Sequence, residues 1–416
     1  ALNHRNTRSS ETAKGKTMNR LGIKLHCRML VTALLLHAAV ADAGTINGCT
    51  VASSGGDITG AALSVALAGG NVTLSCSNNL QINDVVTWNA NVLTLNAQAN
   101  VSINARMNGS GTAALAIAYG QNAPAANNAG IYSIAAPVSL PAGQNFSTTL
   151  GAGGTAQTYT VLTTLGAAGS VTGIDLQGMN GNLNGSYALG ADINAGVTSG
   201  WNNGQGFVPI GTANNGFSGT LEGLGHIINN LTINTPGAIS VSLIGQAGNG
   251  AVIRNVGLAG VSIRGASDVG GLVGYNAAGT ISNCFSTGSV SGFRRVGGLV
   301  GENAGSVTGS YAAGSVTSTG SDTANGYAFG GLVGKNQGSI DRSHADSVVS
   351  GGTAGMANAG GLVGEQYQPG AITNSYATGS LVDGAANNGM SFGGLVGLQG
   401  DSDASGGSIS TSYTLV

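Results

Sequence analysis

Five copies of one pentapeptide decide the reading of this chain: Gly-Gly-Leu-Val-Gly at residues 270–274, 297–301, 330–334, 360–364 and 393–397, with a degenerate copy at Leu243-Ile244-Gly245. The leucines that mark the copies, Leu243, Leu272, Leu299, Leu332, Leu362 and Leu395, stand 29, 27, 33, 30 and 33 residues apart. A five-residue string at near-constant spacing is the mark of a repeat architecture, in which each unit buries its apolar face only by stacking on its neighbours.

Aligned on that string, the copies share further columns. Two residues beyond it stands an amide in every full copy: Asn276, Asn303, Asn336, Gln366 and Gln399. Amides stacked on adjacent strands, about 4.8 Å apart, can hydrogen-bond to one another along the column. After a spacer comes Gly-x-(Ile/Val), ending at Ile281, Val307, Ile340, Ile372 and Ile409. Three residues later the position is small (Cys284, Ser310, Ser343, Ser375, Ser412), and the next is flat: Phe285, Tyr311, His344, Tyr376 and Tyr413. From the small position the pattern alternates, as in Ser310, Ala312, Gly314 and Val316, which predicts a strand with a small inward face. Length varies in two places only, between amide and glycine and after the last apolar position, which predicts two surface turns around a fixed rung.

These features predict an all-β chain folded as a right-handed parallel β-helix, a β-solenoid with coils of about 30 residues, glycines taking the left-handed corners. A β-propeller is the competing repeat fold, but its blades run nearer 40 to 50 residues. Upstream, Leu93, Leu95 and Ala97, then Val101, Ile103 and Ala105, then Leu115, Ile117 and Tyr119 alternate with polar residues as short strands do. The division expected is a leader at 1–43, an irregular β-rich and β-helical region at 44–238, and six repeats at 239–416, the last truncated.

The pentapeptide, the amide, the Gly-x-Ile and the Ser-Tyr-Ala-x-Gly together resemble the GLUG motif family, short glycine-rich repeats of large bacterial surface proteins. The resemblance covers roughly residues 239–416, and residues 217–233 resemble the coil that often precedes such repeats. Residues 88–96 (Trp-Asn-Ala-Asn-Val-Leu-Thr-Leu-Asn) and 101–105 (Val-Ser-Ile-Asn-Ala) look like filamentous-haemagglutinin-type adhesins. The resemblance implies a secreted or surface-held β-helical adhesin, with a host-cell or surface glycan or protein as receptor and an outer-membrane transporter barrel as export partner. The chain departs from that class in having no Asn-Pro dipeptide, no stretch like a translocator barrel and no visible polar cap, so a fragment of a longer protein is expected.

Composition agrees with a turn-dense β chain. Of 416 residues 74 are glycine and 6 proline, 42% are hydrophobic and only 7% charged. That excludes collagen, a charged disordered chain and helical bundles, whose faces need Glu, Lys and Arg. Seven of the 14 basic residues lie in the first 28 positions, before an apolar run from Met29 to Ala41 and an Ala41-Asp42-Ala43 site. This is the pattern of a secretory signal peptide with Met18 as start, too short to span a membrane. The remainder, with 7 basic and 14 acidic residues, carries a charge of −7, which argues against nucleic acid as a partner. Cys49 and Cys76 are candidates for one disulfide, worth about 3 to 4 kcal/mol by loop entropy, the alternative being two buried thiols.

Catalysis finds little support in the residues. The acids are scattered (Asp57, Asp84, Asp175, Asp192, Glu222, Asp268), and Asp401 and Asp403 fall in a variable spacer. His344 sits in the flat column, His226 in a turn, and no metal-ligand spacing or HExxH occurs, so no catalytic residue, cofactor or metal is expected. Arg294 with Arg295, and the aromatics Tyr327, Phe329, Tyr367 and Phe392, are expected in or beside loops, as surface contacts or packing. The function expected is a non-enzymatic adhesin stalk for attachment to host cells, surfaces or sibling cells. The alternatives are a β-helical carbohydrate-active enzyme using Asp175 or Asp192, and a plain spacer for a distal domain.

Overall fold

The computed structural model describes residues 44–319, 327–350, 357–382, 391–400 and 407–415. The expected leader, including Met18, and the Asp401/Asp403 pair lie outside the described residues. Within them the chain is nearly all β and winds into a parallel β-solenoid of about 11 turns. One sheet of 14 strands runs the whole length, from Thr45–Asn47 to Ser408–Ser410. No helix among the described residues is long and apolar enough to cross a membrane.

Each repeat coil contributes four short strands to four stacked sheets. In one coil these are Arg294–Gly297, Val300–Asn303, Ser306–Thr308 and Tyr311–Ser318. The pentapeptide is a corner: Gly297 ends one strand, Gly298 and Leu299 turn the chain inward, and Val300 opens the next. Leu272, Leu299, Leu332 and Leu362 point into the core with no exposed surface, as do Ile281, Val307, Ile340 and Ile372. Leu395 is half-buried and Ile409 is 36% exposed, against the expectation that both are core. They belong to the last described coil, whose inward side chains have a neighbouring rung on one side only.

Glycines take many of the left-handed positions, Gly250, Gly260, Gly288 and Gly314 among them in the repeat half, but not all of them. One recurrent left-handed corner, φ between 47° and 59°, is held by Asn255, Asn283, Gly309, Arg342, Asn374 and Thr411, only one of them a glycine. The pentapeptide glycines are required by closeness instead. A Cβ on Gly298 would lie 2.3 Å from the carbonyl oxygen of Gly331, and one on Gly331 2.1 Å from that of Gly361. Gly314 is exposed rather than inward, and its φ of 125° interrupts the alternation between buried Ala312 and Val316.

Two further departures come from the region 44–238. Its first coils are shorter: Leu74, Leu95 and Ile117, neighbours in register, are 21 and 22 residues apart, so coils of about 30 residues describe the later turns only. It also contains an α-helix, α1 (Gly60–Gly69), capped by the Thr59 hydroxyl accepting from the Ala62 amide at 3.1 Å. Leu63 and Leu67 of α1 are buried against the first core, beside the strand Val86–Trp88 that begins its three-stranded sheet, so the helix covers that end of the solenoid. Its sequence is uncharged and apolar nearly all round, which hides the helical period. Cys49 and Cys76 are joined in a disulfide with Cα atoms 4.8 Å apart.

The architecture changes direction once. The strands Gly143–Ala152 and Gln157–Leu162 pair antiparallel, through Phe146 with Tyr159, whereas the strands on either side continue the sheet in parallel. Parallel crossovers wind right-handed, so a reversed strand direction keeps that hand only if the interior moves to the other face of the sheet. The side chains show that move. Phe146, Tyr159, Val161 and Ala188 belong to the first core, while Leu162, Tyr187 and Leu189 belong to the second.

The closeness of the pentapeptide corners sets a testable contrast. Gly331→Ala is expected to cost about 1 to 3 kcal/mol, as overpacking does. Gly200→Ala, where an added Cβ meets nothing within 4 Å, is expected to leave the urea midpoint unchanged.

Candidate functional site

The columns read from the sequence become ladders once the coils stack. Inside, the Asn276 side-chain amide donates to Asn303 Oδ1 at 2.8 Å, Asn303 to Asn336 at 2.7 Å and Asn336 to Gln366 Oε1 at 2.8 Å. All four are fully buried. Asn276 also closes its own turn, accepting from the Gly279 amide at 2.8 Å. The ladder ends at Gln366, whose Nε2 has no partner among the described residues, while exposed Gln399 donates to the Gly407 carbonyl at 2.7 Å.

The small column also carries hydrogen bonds, a role the sequence reading missed. Ser310 Oγ accepts from the Cys284 amide at 3.1 Å and donates to the Thr308 carbonyl at 2.9 Å. Ser343, Ser375 and Ser412 repeat the arrangement. The left-handed corner just before this position turns the amide toward the next coil, and the serine there receives it. Cys284 takes the serine place in its coil, and burial pushes its thiol up to about 12, so it is held as an unreactive thiol.

On the outer face lies a second ladder. Phe285, Tyr311, His344, Tyr376 and Tyr413 stack with centroids 4.8 to 5.3 Å apart and planes within 3° to 9° of parallel. Each inner ring has both faces covered, so the ladder presents edges and hydroxyls outward. Burial holds the His344 imidazole below its ordinary value, with Asp346 opposing.

The most heavily bonded ionic group lies at the seam between the two cores. Glu222 is completely buried and shares its register position with Ala188, so it faces the end of the first solenoid. Its carboxylate accepts four hydrogen bonds: from the Tyr132 hydroxyl and Arg254 Nε, each at 2.7 Å, and from the Leu224 amide and Asn255 Nδ2, each at 2.9 Å. Arg254 also donates to the Tyr159 hydroxyl at 3.0 Å and lies 4.6 Å over the Tyr132 ring. Burial and the Glu222 charge push the Tyr132 hydroxyl well up. Burial alone would lower the Arg254 guanidinium, but Tyr132, Glu222 and Tyr159 hold it above its ordinary value. In the sequence Glu222 was one scattered acid, because its partners lie 90 and 32 residues away.

The other candidates are placed as follows. Asp175 accepts from Ser170, Thr172 and the Gly178 amide, closing a turn. Asp192 accepts from the Ile227 amide at 3.0 Å and lies 2.9 Å from His226 Nδ1, and His226 Nε2 lies 3.1 Å from the Val138 carbonyl across the seam. Arg294 and Arg295 are not in a loop but in a strand. Arg295 reaches Asp268 Oδ2 at 3.1 Å and Glu302 at 3.0 Å, and Glu302 also lies 3.4 Å from Lys335 Nζ. Tyr327 and Phe329 are core residues. Lys335 lies 5.1 Å over the Tyr367 ring, and Phe392 is 41% exposed. No cluster of three metal-ligating side chains occurs among the described residues.

This geometry defines a stacked repeat protein, and the repeats have relatives. Residues 265–291, 294–317 and 357–382 match the family described as the GLUG motif. Over 117 residues the chain is 44% identical to halomucin of Haloquadratum walsbyi (strain DSM 16790 / HBSQ001), covering 27% of this chain and 1% of that protein. Among solved structures an IgA1 protease aligns with a TM-score of 0.44 and 24% identity, over 58% of this chain and 18% of that one. The chain thus spans a small part of the length of either.

Two measurements probe these groups. Glu222→Ala leaves Arg254 facing the seam without its carboxylate and is expected to cost up to about 3 to 5 kcal/mol in thermal or urea unfolding, with Glu222→Gln intermediate. Because the folded His344 gives up its proton more readily than the unfolded one, its stabilisation is complete above the ordinary value of 6.5 and is lost as pH falls below it. His344→Tyr, matching the neighbouring coils, is therefore expected to raise Tm increasingly as pH falls from 8 to 5, relative to the parent chain.

Proposed function

We propose that the chain is a segment of a secreted or cell-surface adhesin, a non-enzymatic β-solenoid stalk that holds contact-making loops away from the cell. The observation that carries the reading is the sheet of 14 strands running through both halves. A rod closed by self-complementary ladders and a polar seam is a rigid support. The GLUG repeats and the halomucin relative, named as a mucin, favour a surface-associated protein. Residues 1–43 carry the composition of a secretory leader, which supports export, and the filamentous-haemagglutinin-type resemblance supports an outer-membrane barrel as the export partner. The receptor proposed is a glycan or protein of a host cell, a surface or a sibling cell.

The enzyme alternative places turnover on Asp175 or Asp192. Both carboxylates hold backbone turns here, Asp175 with little exposure, which favours the stalk.

Deleting codons 44–416 from the parent gene is expected to reduce attachment to at least one of host cells, abiotic surfaces and sibling cells. Unchanged attachment to all three removes the adhesin reading in favour of a spacer. Sugar release by the purified chain from a polysaccharide panel, abolished by Asp175→Asn or Asp192→Asn, removes the non-enzymatic part.

A further inference from the structure

The six-stranded sheet that carries the first strand of each repeat stops at Ile239–Val241, which pairs on one side only, with Ser267–Gly270. The neighbouring sheet does not stop at the same level. There Ile210 adds one more parallel bridge, to Ile244. In the preceding coil the chain instead runs through the 3-10 segment Gly196–Gly204 and an antiparallel bridge from Gly206 to Ile233, so it supplies no strand beside Ile239–Val241. The place left open is a groove of about 500 Å³.

Ile239, 61% exposed, and Val208, 42% exposed, are among its walls, and no lining residue is charged. Thr235 also lines the groove, and its hydroxyl is buried with no hydrogen-bond partner among the described residues. A terminal strand keeps half of its backbone N–H and C=O groups turned away from its single neighbour. Stable interfaces between folded subunits bury about 800 Å² on each side, which a groove beside a three-residue strand does not offer. What fits is one more strand, continuing the stack that five others already form below it.

We propose that this groove is a docking site for an extended, uncharged peptide segment, which adds as a seventh strand beside Ile239–Val241 and seats an apolar side chain between Ile239 and Val208. Main-chain pairing supplies affinity, and the apolar walls select against charge. The site is independent of whether the chain attaches cells.

The test uses the purified chain and a fluorescein-labelled peptide of the uncharged sequence of residues 327–334, whose first half, Tyr327–Gly330, is a strand of this same sheet. Fluorescence anisotropy is expected to show saturable binding, weakened about tenfold or more, a change of some 1.4 kcal/mol, by Ile239→Asp and by Val208→Asp. Both substitutions fall on exposed side chains, and unchanged circular dichroism and Tm show that each variant is folded. A peptide N-methylated at alternate residues, which cannot pair along its backbone, is expected not to bind. Absence of saturable binding, equal binding of the N-methylated peptide or of a peptide with the change Phe329→Asp, or binding unchanged in both variants overturns the proposal.

Discussion

Every coil must offer the next one the same backbone groups in the same register, about 4.8 Å away. From this single requirement follow the character of the core and the shortage of charge. An inward side chain meets a copy of itself above and below. Leucine, valine and isoleucine satisfy that by packing. An amide satisfies it by donating upward and accepting from below, as Asn276, Asn303, Asn336 and Gln366 do. A column of carboxylates or ammonium groups could not, since each would face its like at short range in a poorly screened interior. Several of the charges that remain have opposite neighbours, as Arg295, Glu302 and Lys335 do, or lie at the seam.

The seam is where stacking alone fails. Reversing strand direction at Phe146 and Tyr159 moves the interior to the other face of the sheet, and the first solenoid is left with an end that needs closing. Residues of the second solenoid close it: Leu224 enters the first core, Glu222 and Arg254 bond to Tyr132 and Tyr159, and His226 reaches the Val138 carbonyl. A buried ion pair is weak evidence for stability in itself, because desolvation opposes it. Here every carboxylate lone-pair direction has a donor, and the partners come from both solenoids. The pair therefore fixes how the two halves meet.

The same geometry bears on what the surface can do. Rings stacked 4.8 to 5.3 Å apart use their faces on one another, so the aromatic ladder is a structural ridge rather than a row of sugar platforms. Distinctive contacts must come from places where the repeat is broken, at corners, loops and strand ends.

The repeat half was legible from sequence because its code is local and recurrent. The spacing of Leu272, Leu299, Leu332 and Leu362 marks the rung, and the amide and ring columns fall where the registers place them. The serine column was legible as a position but not as a hydrogen-bond relay, because its partner is the backbone of the adjacent coil. The pentapeptide glycines were legible as necessary but not as to why: closeness of neighbouring carbonyls, rather than a left-handed φ, excludes a Cβ. The first half gave alternating strands but neither α1 nor the reversal, since an apolar run without a face carries no period and the Gly153-Gly154 turn does not stand out in a chain with 74 glycines. Sequence by itself determined a stacked β repeat with an uncharged, self-pairing core. Only the tertiary structure decided the change of face, the Glu222 and Arg254 closure and the open strand beside Ile239, because each depends on which residues distant in the chain arrive at the same rung.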